Sequence, residues 1–158
     1  MQQFEPLAGL IDGRQSETAS MIARGVRRML RASGYSSVTE LPLLDGRRAD
    51  VVALHGDGAL LIIEIKSSVA DFRADRKWRD YCAHCDQFFF AIGDSLPVEM
   101  MPPEVGLIVA DPYGAEIIRP APRQRLAPAT RRAVLMRFAH AAADRLHRLA
   151  DPAGSIGL

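Results

Sequence analysis

An α/β fold is what this 158-residue chain predicts, and three observations carry the prediction. Residues 48–54 (RADVVAL) and 60–66 (LLIIEIK) are short, branched-rich runs separated by His55-Gly56-Asp57-Gly58-Ala59, the pattern of two strands joined by a hairpin loop. The segments before and after them place apolar residues at helical spacing. Composition is that of an ordinary globule, with 48% hydrophobic and 25% charged residues, so residues 1–158 are expected to close one core as a single domain.

The elements follow in chain order. Residues 16–32 read as an amphipathic helix capped by Ser16 and stopped by Gly34, with Ile22, Val26, Met29 and Leu30 on one side and Arg24, Arg27, Arg28 and Arg31 on the other. Residues 36–41 form a first strand before the turn Pro42-Leu43-Leu44-Asp45-Gly46, giving a three-stranded meander with the two runs above. Ser68-Val69-Ala70-Asp71 has the form of a capping box opening a helix to about residue 82, with Trp78, Tyr81, Cys82 and Cys85 along an apolar edge. Residues 87–92, with Phe88, Phe89 and Phe90, make a buried strand. Residues 106–110 and 115–119 make a hairpin around Asp111-Pro112-Tyr113-Gly114. A proline-bearing connector, 120–128, leads to a closing helix over 130–149 with Leu135, Phe138, Ala142, Leu146 and Leu149 on one side; residues 151–158 are expected to fray.

Chemistry concentrates in the first hairpin. If the loop is centred on Asp57, opposed residues sum to 114: Val52 faces Ile62, Leu54 faces Leu60, and Asp50 faces Glu64. Residues i and i+2 share a face, so Lys66 lies beside Glu64 while Ile65 points into the core. Opposed carboxylates repel and weaken a sheet, which points to a cation between them, a divalent metal foremost. With seven Glu and two Lys in the chain, a Glu-x-Lys arises by chance about 0.09 times in this length. Lysine is scarce beside 18 arginines, and a compact ammonium does what a planar guanidinium cannot. The bland alternative is a same-face Glu64–Lys66 ion pair with Asp50 solvated at the sheet margin.

At Asp50 and Glu64-Ile65-Lys66 the chain resembles the PD-(D/E)XK nuclease superfamily, whose signature is an acidic residue on one strand and Glu/Asp-x-Lys on the next; Ala49 stands where the signature has Pro. The runs Asp45-Gly46-Arg47-Arg48-Ala49-Asp50, Glu64-Ile65-Lys66-Ser67-Ser68, Asp71-Phe72-Arg73-Ala74-Asp75-Arg76-Lys77-Trp78 and Gly106-Leu107-Ile108-Val109-Ala110-Asp111 look like the MmcB family of bacterial DNA-repair proteins, regarded as endonucleases and associated with damage-induced translesion synthesis. The resemblance implies a restriction-endonuclease-like core, a mixed sheet flanked by helices. It implies a Mg²⁺-dependent (or Mn²⁺-dependent) deoxyribonuclease in which Asp50, Glu64 and the Ile65 carbonyl hold the metal and Lys66 assists the attacking water. Its partners would be DNA and DNA-repair or translesion-synthesis proteins. The alternative in another class is a non-catalytic, DNA-structure-binding adaptor of a repair complex.

DNA contacts are expected from two basic clusters. Arg73, Arg76 and Lys77 recur at i, i+3, i+4 on the helix after Lys66, whose N-terminal N–H groups would face a phosphate near the triad. Pairing of these residues with Asp71, Asp75 and Asp80 is the bland reading. Arg24, Arg27, Arg28 and Arg31 form the second stripe, with a solvated face as its bland reading. A net charge of +1 argues against a purely electrostatic nucleic-acid binder, so any DNA surface is a local patch. Cys82-Ala83-His84-Cys85 lacks a second ligand pair for zinc and reads as structural thiols. Glu17 and Glu40 are further acidic candidates for the site. Neither a Gly-rich phosphate loop nor a serine nucleophile motif occurs. With no membrane-length apolar run and no signal-peptide pattern over Met1-Gln2-Gln3-Phe4-Glu5-Pro6, a cytoplasmic location is expected.

Overall fold

The structure is a computed structural model that describes residues 16–155; the first six residues and 156–158, on which sequence expectations were placed, lie outside the described part. Six strands form one sheet in sequence order: β1 (Tyr35–Pro42), β2 (Arg48–His55), β3 (Leu60–Lys66), β4 (Gln87–Ile92), β5 (Gly106–Ala110) and β6 (Ala115–Arg119). β1, β2 and β3 are an antiparallel meander, β4 and β5 run parallel to β3, and β6 returns antiparallel. This is the mixed sheet flanked by helices that the sequence implied.

Strand alternation sorts the core into two layers. On one face Val51, Ala53, Ile63, Ile65, Phe89 and Ile108 meet the apolar stripe Ile22, Val26 and Leu30 of α1 (Glu17–Ala32). The Ser16 hydroxyl caps that helix by accepting the Ala19 N–H at 3.1 Å. On the other face Val52, Ile62, Phe88 and Phe90 meet Trp78 and the residues Val134 and Phe138 of α3 (Pro128–Ala150). Phe90, fully buried, touches Trp78, Phe88 and Phe72 edge-on. Truncating such a side chain to Ala costs about 3–5 kcal/mol.

Two expectations are corrected. The segment after Lys66 is not one helix to residue 82: α2 (Val69–Ala74) stops at Asp75, and a 3₁₀ turn follows over Trp78–His84. Asp75 Oδ1 accepts the Lys77 N–H at 3.0 Å, a local turn that competes with helix continuation. On α3, Leu146 and Leu149 are exposed rather than core-facing, because a 23-residue helix, about 34 Å long, outruns the sheet it packs on. Residues Pro152–Ser155 form a 3₁₀ turn beyond it.

Candidate active site

The register expected for the hairpin is the one found: Val52 pairs with Ile62 and Leu54 with Leu60. The regular pairing of β2 with β3 ends at Val51↔Ile63, however, while β3 stays paired with β4 as far as Lys66↔Ile92. Beyond Ile63 the two carboxylates take over the missing rung. Glu64 Oε1 accepts the Asp50 N–H at 2.9 Å, and Asp50 Oδ2 accepts the Ile65 N–H at 2.8 Å. The two carboxyl groups are also close enough to share a proton. Burial, then the neighbouring Asp50 charge, push the Glu64 carboxyl well above the usual carboxylate range. Burial raises Asp50 too, against the pull of the Ile65 N–H and Lys66.

Lys66 is buried beside Glu64, as alternation requires, but its ammonium is held elsewhere: Nζ lies 2.7 Å from Asp75 Oδ2. The ion pair imagined between Glu64 and Lys66 is thus replaced by one that sequence reasoning missed. Asp75 sits at the end of α2, where the chain turns back toward β3. The signal available was the short polar stretch Asp75-Arg76-Lys77 between two apolar segments, a turn pattern rather than a helical one. Tyr81 was also read only as core. Its hydroxyl donates to the Arg48 carbonyl at 3.1 Å, and burial followed by the Glu64, Asp50 and Asp75 charges drives its acidity down, so the phenol stays protonated.

The remaining candidates fall in different places. Asp71 accepts the Ser67 N–H, Asp75 holds Lys66 and Asp80 holds Arg47, so none of the three pairs with Arg73, Arg76 or Lys77, which are exposed. The six-residue α2 has too little aligned backbone to act as a phosphate-binding dipole by itself. The β1–β2 register places Glu40 opposite Asp50, since Thr39 pairs with Val51 and Leu41 with Ala49, but Glu40 takes a left-handed conformation (φ 51°) and pairs with Arg48 at 2.7 Å. Glu17 is exposed in the first turn of α1, whose Ser16 hydroxyl donates to that of Ser67 at 3.3 Å. Arg24, Arg27, Arg28 and Arg31 are exposed on the α1 layer, on the face of the sheet away from Glu64 and Lys66. Cys85 is buried and Cys82 half-buried, both free, and burial raises both thiols. Among the described residues no group of three or more His, Cys, Asp or Glu is arranged to hold a metal. The carboxylate pair therefore supplies at most two side-chain ligands. That number suits Mg²⁺, which is commonly held by one or two carboxylates with water and substrate phosphate completing the shell.

No helix among the described residues is long and apolar enough to cross a membrane. No curated protein matches the chain. Among solved structures it is similar to SPO1766, a protein of unknown function from Silicibacter pomeroyi, with 46% identity over 90% of this chain and 97% of that one and a TM-score of 0.86. A family described as DNA repair protein MmcB-like matches residues 7–153, the carboxylate pair, Lys66 and Asp75 included. The chain therefore belongs to the MmcB-like family of DNA repair proteins.

Proposed function

We propose that the protein is a metal-dependent endonuclease that hydrolyses DNA phosphodiesters during repair. One observation carries the reading: Asp50 and Glu64 converge where two strands part, with buried Lys66 next on the same face of β3. A fold has little structural reason to bury two carboxyl groups against each other. The PD-(D/E)XK resemblance assigns the same three residues.

The two carboxylates, with the Ile65 carbonyl, would hold Mg²⁺ or Mn²⁺, which supplies polarisation of the phosphate and a more acidic bound water. Lys66 contributes a fixed positive charge toward the negative charge developing on the phosphoryl oxygens. Asp75 Oδ2 holds that ammonium at 2.7 Å, so Lys66 is a positioned charge rather than a mobile surface one. Tyr81 closes the other wall as a neutral donor committed to the Arg48 carbonyl. Arg73, Arg76 and Lys77, lacking carboxylate partners among the described residues, are available to phosphates flanking the scissile bond.

The deciding experiment is a cleavage screen with Mg²⁺, Mn²⁺ or EDTA over single-stranded, flapped, forked and mismatched DNA. Cleavage that needs the metal and falls by about 10²-fold or more in Lys66→Ala, with DNA binding retained, is expected. Lys66→Arg is expected to fail as well, because a planar fork does not fit the place of a compact ammonium. Specific DNA binding without cleavage of any substrate would overturn the reading in favour of an adaptor.

A further inference from the structure

The arginine stripe of α1 lines a groove that the carboxylate site does not use. Between α1 and β1 lies an open groove of about 770 Å³ whose walls carry Arg24, Arg27, Arg28 and Arg31 together with the hydroxyl residues Ser20, Tyr35, Ser36, Ser37 and Thr39. Among the described residues no acidic side chain lines it. Arg27 is fixed in the wall, donating to the Ser37 hydroxyl at 3.0 Å and to the Ser37 carbonyl at 3.2 Å. Arg24, Arg28 and Arg31 make no hydrogen bond or ion pair with any described residue and are exposed. Other arginines of the protein are consumed internally: Arg131 by Asp86, Arg145 by the Thr39 and Glu40 carbonyls, and Arg119 by those of Val105 and Pro102. In a chain of net charge +1, three guanidiniums that no described residue engages, in one groove that no described acidic residue lines, are a local excess that matches a polyanion.

Its dimensions suit a nucleic-acid backbone. From Arg24 to Arg31 the helix advances about 10 Å, the axial rise of roughly three nucleotides on one strand of a duplex. Guanidiniums beside hydroxyls are the donor set that phosphate oxygens take from proteins.

Its location decides what kind of DNA fits. The groove belongs to the α1 face, where Tyr35 and Ser37 pair with His55 and Ala53 toward the loop end of β2. Glu64 and Lys66 lie on the opposite face, at the far end of β3, under α2 and the 3₁₀ turn. A body of this size has a radius of gyration of about 15 Å. A duplex with a persistence length of about 150 base pairs does not fold round it cheaply. One straight duplex therefore reaches one face only.

We infer that the α1–β1 groove is a second DNA-backbone site, and that the protein engages branched DNA, one arm at the carboxylate pocket and another strand in the groove. The inference rests on the proposed function only in taking DNA as the partner of that pocket, and it holds for a cleaving or a non-cleaving protein.

Binding measured without metal separates the two. Fluorescence anisotropy of the full chain in EDTA, over a range of salt, would compare a fork and a linear duplex of equal length for wild type, Arg24→Ala/Arg28→Ala and Arg73→Ala/Arg76→Ala. The wild type is expected to prefer the fork by about tenfold. The α1 double variant is expected to lose that preference and to flatten the log–log salt slope on the fork by about 1.4–1.8, while its duplex affinity stays within twofold. The second double variant is expected to weaken fork and duplex alike. Equal wild-type affinity for fork and duplex overturns the inference, as does an α1 variant that weakens both equally, or no DNA binding at low salt. The nuclease reading is judged separately, by cleavage in Mg²⁺ and its dependence on Lys66. Thermal melts matching wild type confirm that the exposed substitutions leave the fold intact.

Discussion

Replacing Asp50 with Asn in metal-free protein probes the electrostatic design of the pocket. Asn keeps the shape, and its amide oxygen can still accept the Ile65 N–H that Asp50 Oδ2 takes at 2.8 Å. What disappears is one of two buried carboxyls in contact. Unit charges about 4 Å apart repel by roughly 4 kcal/mol at an effective dielectric of 20. Lys66 and a shared proton offset most of this, leaving a relief of about 1 kcal/mol, or some 2–4 °C in Tm for a chain of this length. The relief has a sign in pH. Both carboxyls titrate above their unfolded values, so between the unfolded and folded values the native state holds more protons than the unfolded chain. Wild-type stability is then fullest below the unfolded values and falls as pH rises through the folded ones. Thermal melts in EDTA from pH 5 to 9 are expected to show that fall in wild type and a shallower one in Asp50→Asn. Mg²⁺ at 100 times its Kd adds about 2.7 kcal/mol to wild type and much less to the variant. A clear loss of Tm for Asp50→Asn in EDTA at every pH would refute the reasoning and make Asp50 a structural residue.

Three further outcomes are expected. Asp75→Asn, which leaves the Lys66 ammonium facing an amide, is expected to lower kcat about tenfold with little change in KM or in metal-free DNA affinity; an equal rise in KM alone would make Asp75 a binding residue. Gly25→Ala gains about 1 kcal/mol of helix propensity, but its Cβ would sit 1.8 Å from the Asp111 carbonyl oxygen and 2.5 Å from that of Gly114, so urea titration is expected to show a net loss of at least about 1 kcal/mol. Asp86 is bound by Arg131 at 2.6 Å and accepts the Leu60 N–H at 2.7 Å, and Arg131, the largest influence, holds its carboxyl below the usual range. That stabilisation is present above the unfolded Asp value and lost as pH falls through the folded one, so Asp86→Asn is expected to cost about 2 kcal/mol at pH 7 and little at pH 2, as chemical denaturation at the two pH values would report.

The β1–β2–β3 meander and the β2–β3 register were legible because the apolar runs around Asp57 are short and their loop has one natural centre; Val52↔Ile62 and Leu54↔Leu60 follow from it. α1 was legible from Ser16 and the Ile22/Val26/Leu30 spacing, and β4 from Phe88, Phe89 and Phe90, which alternate between the two faces. The closing helix was found, and Leu135, Phe138 and Ala142 pack on the core as expected, but its last turns were misjudged. Val134 and Phe138 are buried while Leu146 and Leu149 are exposed, and helical spacing cannot say where the sheet beneath a helix ends. Asp75 was hidden for a related reason. Its partner Lys66 is nine residues away, and the two meet only because α2 breaks between them and the 3₁₀ turn, which apolar spacing alone does not forecast.

The splay of β2 from β3 explains why the site lies where it does and how it must be tested. Past Val51↔Ile63 the backbone groups of Asp50 and Ile65 lose their ladder partners, and each finds a carboxylate oxygen instead. One event thus removes two N–H groups from the ladder and fixes both acidic side chains. Each carboxylate spends one named oxygen on the backbone, Asp50 its Oδ2 and Glu64 its Oε1. An alanine at either position would therefore do more than delete a ligand. It would strand a buried N–H at a cost of about 1–3 kcal/mol and allow β2 to close on β3. Asp50→Asn and Glu64→Gln retain the backbone acceptor and remove the charge, so they separate loss of metal binding from loss of architecture. If Glu64→Gln and Glu64→Ala lowered stability in EDTA by the same amount, the Glu64–Asp50 N–H bond would not be the strut that the geometry makes it.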